Sequence, residues 1–317
     1  MKIIAIENFG LTLSQINDLA VRFEALGHSF TFFEKRSEDE NINCERVKGA
    51  EILIVSTIWL SEKVILSCRD LKMIAVAFTG CDHIPLDLCR KKGILVSNAA
   101  GYSTHAVAEL AIGLMIDLLR RITLFESETR QGMGRNGYLG RELTGKTVGI
   151  IGTGSIGLHL AHILQAFGCH IVAYSRSVNK KAVEQGIQYL SLAEVMAESD
   201  IVSIHTPLTP ETHHLIGANE LSLMKSSALL INTARGGIVD QQALATALVE
   251  KKIAGAGLDV FETEPPLPID HPLLKTPNTI VVPHIGYATE EAIAVRAEIV
   301  VANILAYLDG KPTNIVA

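Results

Sequence analysis

In the second half of the chain, residues able to do chemistry stand where apolar runs end. Arg235 follows ALLINTA, Asp259 and Glu264 lie in AGAGLDVFETEPP, and His284 follows TIVVP. Thr206 and Pro207 follow DIVSIH in the same way. Singly, each has an ordinary reading: a surface cation, a helix cap, a loop carboxylate, a polar strand end. If the runs are parallel strands, these residues share the carboxyl edge of one sheet, where open α/β sheets bind ligands. Together they suit hydride transfer between a nicotinamide and a carbonyl. A carbonyl accepting hydride develops negative charge on oxygen and needs a proton donor, for which histidine is suited near neutral pH. A carboxylate beside the histidine favours imidazolium and fixes the ring's orientation. An arginine holds a substrate carboxylate and polarises the carbonyl. His284 is thus expected as acid/base, Glu264 as its partner, Arg235 as substrate clamp, and Asp259 nearest the nicotinamide.

The cofactor signal lies upstream. VGIIGTGSIG places Gly152, Gly154 and Gly157 in G-x-G-x-x-G register, with an apolar run before it and an apolar-periodic helix after it. Gly152 permits the tight turn, Gly154 lets backbone approach a pyrophosphate, and Gly157 lets helix pack on strand. The helix N-terminus supplies free N–H groups and positive dipole to the phosphates. The next strand ends VAYSRS, with Ser175 where an NAD site would carry an acidic residue for the ribose hydroxyl, then Arg176, and Lys180 and Lys181 nearby. A serine does not repel a 2′-phosphate and an arginine can clamp one, so NADP is expected over NAD. Gly286 leaves room for backbone near the nicotinamide.

These residues need a scaffold of alternating strands and helices. KIIAIE, SFTFFE, AEILIVST, KMIAVAFTG and GILVSNA read as strands in the first hundred residues, and LSQINDLAVRFEALG as an amphipathic helix. KTVGIIGTG, HIVAYS, DIVSIH, ALLINTA, AGAGLDV and TIVVP form a second series. Both imply parallel sheets covered on two faces. Between the series, 102–130 reads as a helix with little polar face, expected to be buried between domains or subunits. Residues 130–145 read as a Gly-rich surface loop. After Thr289 a last helix carries Ile293, Ala297, Val300, Ile304 and Leu308 at helical spacing, ended by Gly310 and Pro312.

Bulk properties narrow the function class. The 317 residues are 48% hydrophobic and 20% charged, with formal net charge -6, enough for two domains with a substantial core. Lys and Arg are scattered, which argues against a nucleic-acid or membrane-surface partner. The opening MKIIAIENFG lacks the pattern of a signal peptide, and five scattered cysteines fit reduced thiols, so a cytoplasmic location is expected. No metal is expected.

VGIIGTGSIG, HTPLTPETHHLI, LLINTARGGIVD, GAGLDVFETEPP and VVPHIGYAT together resemble the D-isomer-specific 2-hydroxyacid dehydrogenase family, in the family's order and over most of the chain. The resemblance implies two doubly wound parallel-sheet α/β domains: a flavodoxin-like substrate domain from 1–99 and 290–317, and an inserted Rossmann cofactor domain over 100–289. It places the family's catalytic Arg/Glu/His set on Arg235, Glu264 and His284. Ser155 and Ile156 match its pyrophosphate contacts, and Thr233, Ala234 and Asp259 its nicotinamide-side contacts. TGCDH resembles its substrate-carboxylate loop, implicating Thr79, Gly80 and Cys81. The substrate's side chain is expected to meet Thr57, Ile58, Trp59 and Tyr287. Family members pair through the cofactor domain, so a homodimer is expected, with the Ala106–Leu119 helix contributing. Ser175 departs from the Asp of many members. Formate dehydrogenases resemble the chain less, having Gln where Glu264 stands. A nucleotide-sensing binding module related to the C-terminal-binding-protein co-repressors is the alternative to an enzyme, and turnover of 2-keto acids discriminates the two.

Overall fold

A computed structural model describes residues 1–264 and 266–317; Pro265 lies outside the described residues. The chain divides into two compact units, 1–103 with 289–317, and 104–288. It crosses between them at Ser103–Thr104 and Ala288–Thr289, against expected crossings at 99–100 and 289–290. The turn after residue 99 stays with the first unit, since the Tyr102 ring packs on Phe78, centroids 6.0 Å apart.

The first unit holds β1 (Lys2–Ala5), β2 (Ser29–Phe32), β3 (Ile52–Val55), β4 (Met73–Val76) and β5 (Leu95–Asn98). All are parallel, in the order β2-β1-β3-β4-β5, the flavodoxin-like arrangement. β3 and β4 are buried throughout, as strands covered on both faces must be, while edge strand β2 alternates exposed and half-buried. Glu7, just past β1, is a buried carboxylate that the sequence reading did not single out. One of its oxygens accepts the N–H groups of Ser56, Thr57 and Ile58 at 2.7, 2.8 and 2.9 Å, fixing the turn after β3.

The second unit contains β6 (Thr147–Ile151), β7 (His170–Tyr174), β8 (Gln188–Tyr189), β9 (Ile201–Ile204), β10 (Leu229–Asn232), β11 (Gly255–Leu258) and β12 (Thr279–Val281). They form one parallel sheet in the order β12-β11-β10-β9-β6-β7-β8. The strand order reverses between β6 and β9, so the loop after β6 opens at the switch point, where dinucleotides bind in doubly wound sheets. The two-residue β8 escaped the sequence reading because it is too short to show a period.

The apolar helix differs from expectation twice. It breaks into Thr104–Arg120 and Ile122–Arg130, because Arg121 takes a left-handed conformation (φ 52°) and Asp117 accepts the Thr123 N–H at 2.9 Å. Its apolar surround is also consumed inside one unit: it packs on β10, β11 and the Ser155–Ala166 helix. The burial read from its composition is therefore burial in the second unit's own core. The short helix after the break has no buried residue.

The last helix spans Glu290–Leu308, with the Thr289 hydroxyl accepting the Ala292 N–H at 3.1 Å. Its buried face includes Ala297, Val300 and Ile304 as expected, but also Arg296 and Asn303, while Ile293 and Leu308 are half-buried. No helix among the described residues is long and apolar enough to cross a membrane.

Candidate active site

The site is built on the carboxyl edge of the second sheet. β6 is followed by Gly152, whose φ of 99° suits glycine, and a side chain there would strike the His205 carbonyl at 2.7 Å. Gly157 lies so near the Gly152 carbonyl that a Cβ would approach its oxygen to 2.1 Å. At Gly154 a Cβ would meet nothing within 4 Å, so the backbone there is open to an approaching group. Gly154 also begins the twelve-residue helix Ser155–Ala166 with no side-chain cap, leaving the amides of the first turn for a ligand. Thr233, beyond β10, has a buried Oγ1 with no hydrogen-bond partner among the described residues. An open glycine, an uncapped helix start and an orphaned buried hydroxyl fit a dinucleotide cofactor.

A polar strut braces this loop. The Tyr189 hydroxyl donates to Thr153 Oγ1 at 2.7 Å and accepts the Asn179 N–H at 3.0 Å, while Asn179 Nδ2 donates to the Thr153 carbonyl at 2.9 Å. Sequence reasoning missed Asn179 and Tyr189, since the bonds join segments far apart in sequence. Just ahead of Asn179 in the chain run half-buried Ser175 and exposed Arg176. The pKa of Glu211 is lowered first by a hydrogen bond with Thr209, and among lesser causes by the Arg176 charge, so Arg176 has this carboxylate in its neighbourhood.

His284 follows β12 in the left-handed region (φ 55°), a conformation uncommon outside glycine and asparagine. Three backbone donors hold it there. The His284 N–H donates to the Asp259 carbonyl at 2.8 Å, and the Ile285 and Gly286 N–H groups donate to the two Asp259 carboxylate oxygens at 2.6 and 2.9 Å. Asp259 is wholly buried. Burial pushes its carboxyl pKa up, opposed by the two amides and the His284 charge. Gly286 must be glycine, since a Cβ would lie 2.8 Å from the Asp259 carboxylate. Asp259 thus braces the histidine loop from beneath, a role that sequence reasoning did not foresee.

His284 Nδ1 lies 2.9 Å from Glu264 Oε2, and its ring meets the Tyr287 ring edge-on at 5.6 Å. Arg235 is half-buried with extended backbone, its Nη1 donating to the Ala234 carbonyl at 2.8 Å and its own carbonyl accepting from Asn232 Nδ2 at 2.9 Å. Asn232 Oδ1 accepts the Ala234 N–H at 3.0 Å, completing the turn. Gly236 next to it abuts the Phe261 backbone so closely that a Cβ would sit 1.8 Å from its carbonyl carbon. The turn bearing Arg235 is therefore in backbone contact with the segment leading to Glu264. His214 Nε2 pairs with Glu262 Oε1 at 3.0 Å, tying the 205–216 loop to that segment. Thr206 and Pro207 follow β9 beside Gly152, the Pro207 carbonyl accepting the Thr212 hydroxyl at 2.7 Å.

In the first unit, the Thr79 carbonyl accepts from Asn98 Nδ2 at 2.7 Å, and Gly80 and Cys81 follow in the loop past β4. Trp59 is 72% exposed and Thr57 half-buried, but Ile58 is buried in the unit's hydrophobic core. That corrects the expectation for Ile58, because its side chain is spent on packing.

Residues 112–286 match the family model for the D-isomer specific 2-hydroxyacid dehydrogenase, NAD binding domain. A glyoxylate reductase of Thermococcus litoralis is 40% identical over 294 residues, covering 89% of this chain and 88% of the relative. The chain belongs to the D-isomer specific 2-hydroxyacid dehydrogenases. Among solved structures, an acyclic imino acid reductase (Bsp5) in complex with NADPH and D-Arg superposes with a TM-score of 0.90 at 30% identity over all of both chains. A D-lactate dehydrogenase from Aquifex aeolicus complexed with NAD and lactic acid gives 0.85 at 32% identity, over 100% of this chain and 99% of the other. This dehydrogenase thus shares its fold with proteins holding either nicotinamide cofactor, and local residues must decide between them.

His205 gives a pH test of the scaffold. It keeps part of its surface open, but burial lowers its pKa from 6.5 to about 4. A lowered folded-state pKa gives stability that is present above pH 6.5 and lost as pH falls towards 4. The urea midpoint should fall across that window by up to about 3 kcal/mol of stability, and His205→Asn should flatten the slope. An unchanged slope in the variant would clear His205 of this role.

Proposed function

We propose that this dehydrogenase reduces a 2-keto acid to the D-2-hydroxy acid with NAD(P)H, using Arg235, Glu264 and His284. The observation that carries the assignment is the 2.9 Å contact of His284 with Glu264 on the carboxyl edge of the second sheet. The bound nicotinamide supplies the hydride. His284 donates the proton that completes the hydroxyl as hydride reaches the carbonyl carbon, so one keto acid, one reduced cofactor and one proton give one hydroxy acid and one oxidised cofactor. Glu264 stabilises the imidazolium, and Arg235 holds the substrate carboxylate and the developing oxyanion.

The unit over 104–288 takes the cofactor-domain assignment. Gly152, Gly154, Ser155, Ile156 and Gly157 receive the pyrophosphate. Thr206, Pro207, Thr233, Ala234, Asp259 and Gly286 serve the ribose and nicotinamide side. The unit over 1–103 and 289–317 takes the substrate-domain assignment, with Thr79, Gly80 and Cys81 as its carboxylate-binding loop. We place the protein in the cytoplasm.

His284→Gln should lower kcat by about 100-fold or more with little change in cofactor affinity. Glu264→Gln should lower kcat/KM with little change in cofactor affinity, since the His284 ring loses the carboxylate that orients it. Both are read from NAD(P)H absorbance at 340 nm with a panel of 2-keto acids. Turnover unchanged in His284→Gln removes that residue from the mechanism, and silence of the wild type across the panel removes the function.

NADP is proposed over NAD, supported by the absence of a carboxylate at Ser175 and by Arg176 beside it. Titration with both reduced cofactors should give higher kcat/KM for NADPH, and a clear preference for NADH overturns the assignment. A homodimer is also proposed, supported by large apolar side chains left exposed over 122–139: Ile122, Leu124, Met133 and Leu139 at 52, 46, 43 and 78%. Light scattering should return twice the chain mass, and a monomeric mass refutes it.

A further inference from the structure

Arg296 is out of place by every rule of packing. It lies mid-way along the Glu290–Leu308 helix, on the face that carries Ala292, Ala297 and Val300, and is 6% exposed. Its Nε is buried with no hydrogen-bond partner, and among the described residues no carboxylate pairs with the guanidinium. Burying a cation without an anion or acceptor costs several kcal/mol, so buried arginines are normally paired. The contact it has is a ring face: its Cζ lies 5.9 Å from the Tyr102 centroid. Gly10 makes room for it, since a Cβ there would come within 3.3 Å of Nη2.

The surroundings lead to the substrate loop. The Tyr102 ring that carries Arg296 packs on Phe78. Phe78 immediately precedes Thr79, Gly80 and Cys81. Gly10, Phe78 and Tyr102 all lie past the carboxyl ends of strands in the first unit, β1, β4 and β5. The unpaired cation thus belongs to the ligand-binding edge of that sheet. The fixed aromatic stack also pre-orients a guanidinium for an anion.

We propose that Arg296 is a specificity residue that takes a second anionic group, at the far end of a 2-keto acid. The preferred substrate is then a dianion in the sense of two anionic groups, a distal carboxylate or phosphate besides the carboxylate next to the keto group. The inference rests on the proposed 2-keto acid reduction and names its substrate class.

The test compares wild type, Arg296→Met and Arg296→Lys by NAD(P)H oxidation. Glyoxylate and pyruvate are the monoanions, 2-oxoglutarate and oxaloacetate carry a distal carboxylate, and 3-phosphohydroxypyruvate carries a distal phosphate. Wild-type kcat/KM should be about tenfold or more higher for at least one dianion than for the monoanions. Which dianion wins decides between carboxylate and phosphate. Arg296→Met should erase that preference mainly through KM while leaving monoanion turnover, and Arg296→Lys should restore part of it. Wild-type turnover of monoanions without a dianion preference overturns the inference and leaves the reductase assignment standing. Equal loss for both classes in Arg296→Met also overturns it. No turnover of any keto acid by the wild type fails the reductase assignment itself. The wild-type comparison stands even if the variants do not fold.

Discussion

The Asp259 carboxylate is the constraint on which the site depends. It is wholly buried, and each of its oxygens accepts one backbone N–H from the loop after β12. A buried acid is costly unless hydrogen-bonded, and here the bonds are made by the segment that carries His284. The left-handed backbone of His284 is strained on its own and is over-determined by these bonds and by its own amide on the Asp259 carbonyl. Position and strain come together: the loop can take this path because a fixed anion sits beneath it.

The other parts of the site are held by close backbone approach. Gly236 lets the Arg235 turn touch the chain before Glu264, and Gly152 lets the glycine loop touch the chain after β9. Each is a contact that a single methyl group would forbid. Arg235, Glu264 and the glycine loop are therefore set by the spacing of parallel strands β6, β9, β10 and β11 more than by side-chain packing. Rigid elements of this kind hold reacting groups to the tolerance catalysis requires.

Buried charge divides the two units in an instructive way. In the second, the buried acid Asp259 is fully satisfied and serves geometry. In the first, Glu7 does the same for the turn after β3. Arg296 has no carboxylate partner of this kind among the described residues, and its Nε is left without a hydrogen bond. The same physics that explains the two carboxylates as braces makes the arginine a candidate for recognition.

The sequence by itself determined the parallel-sheet class and the glycine loop, and it singled out Arg235, Glu264 and His284 as candidates, because each is written locally. Strand periodicity, G-x-G-x-x-G spacing and a polar residue at a strand's end need no knowledge of what lies across the fold. Only the tertiary structure showed what Asp259 and Tyr189 hold in place and that Arg296 is buried. Asp259 works through amides 26 and 27 residues away, and Tyr189 through a hydroxyl 36 residues away. The burial of the helix before Arg121 within one unit was likewise set by long-range packing. Arg296 read as one charge on an otherwise periodic helix; its meaning came from a face that the sheet buried and left without a counter-charge.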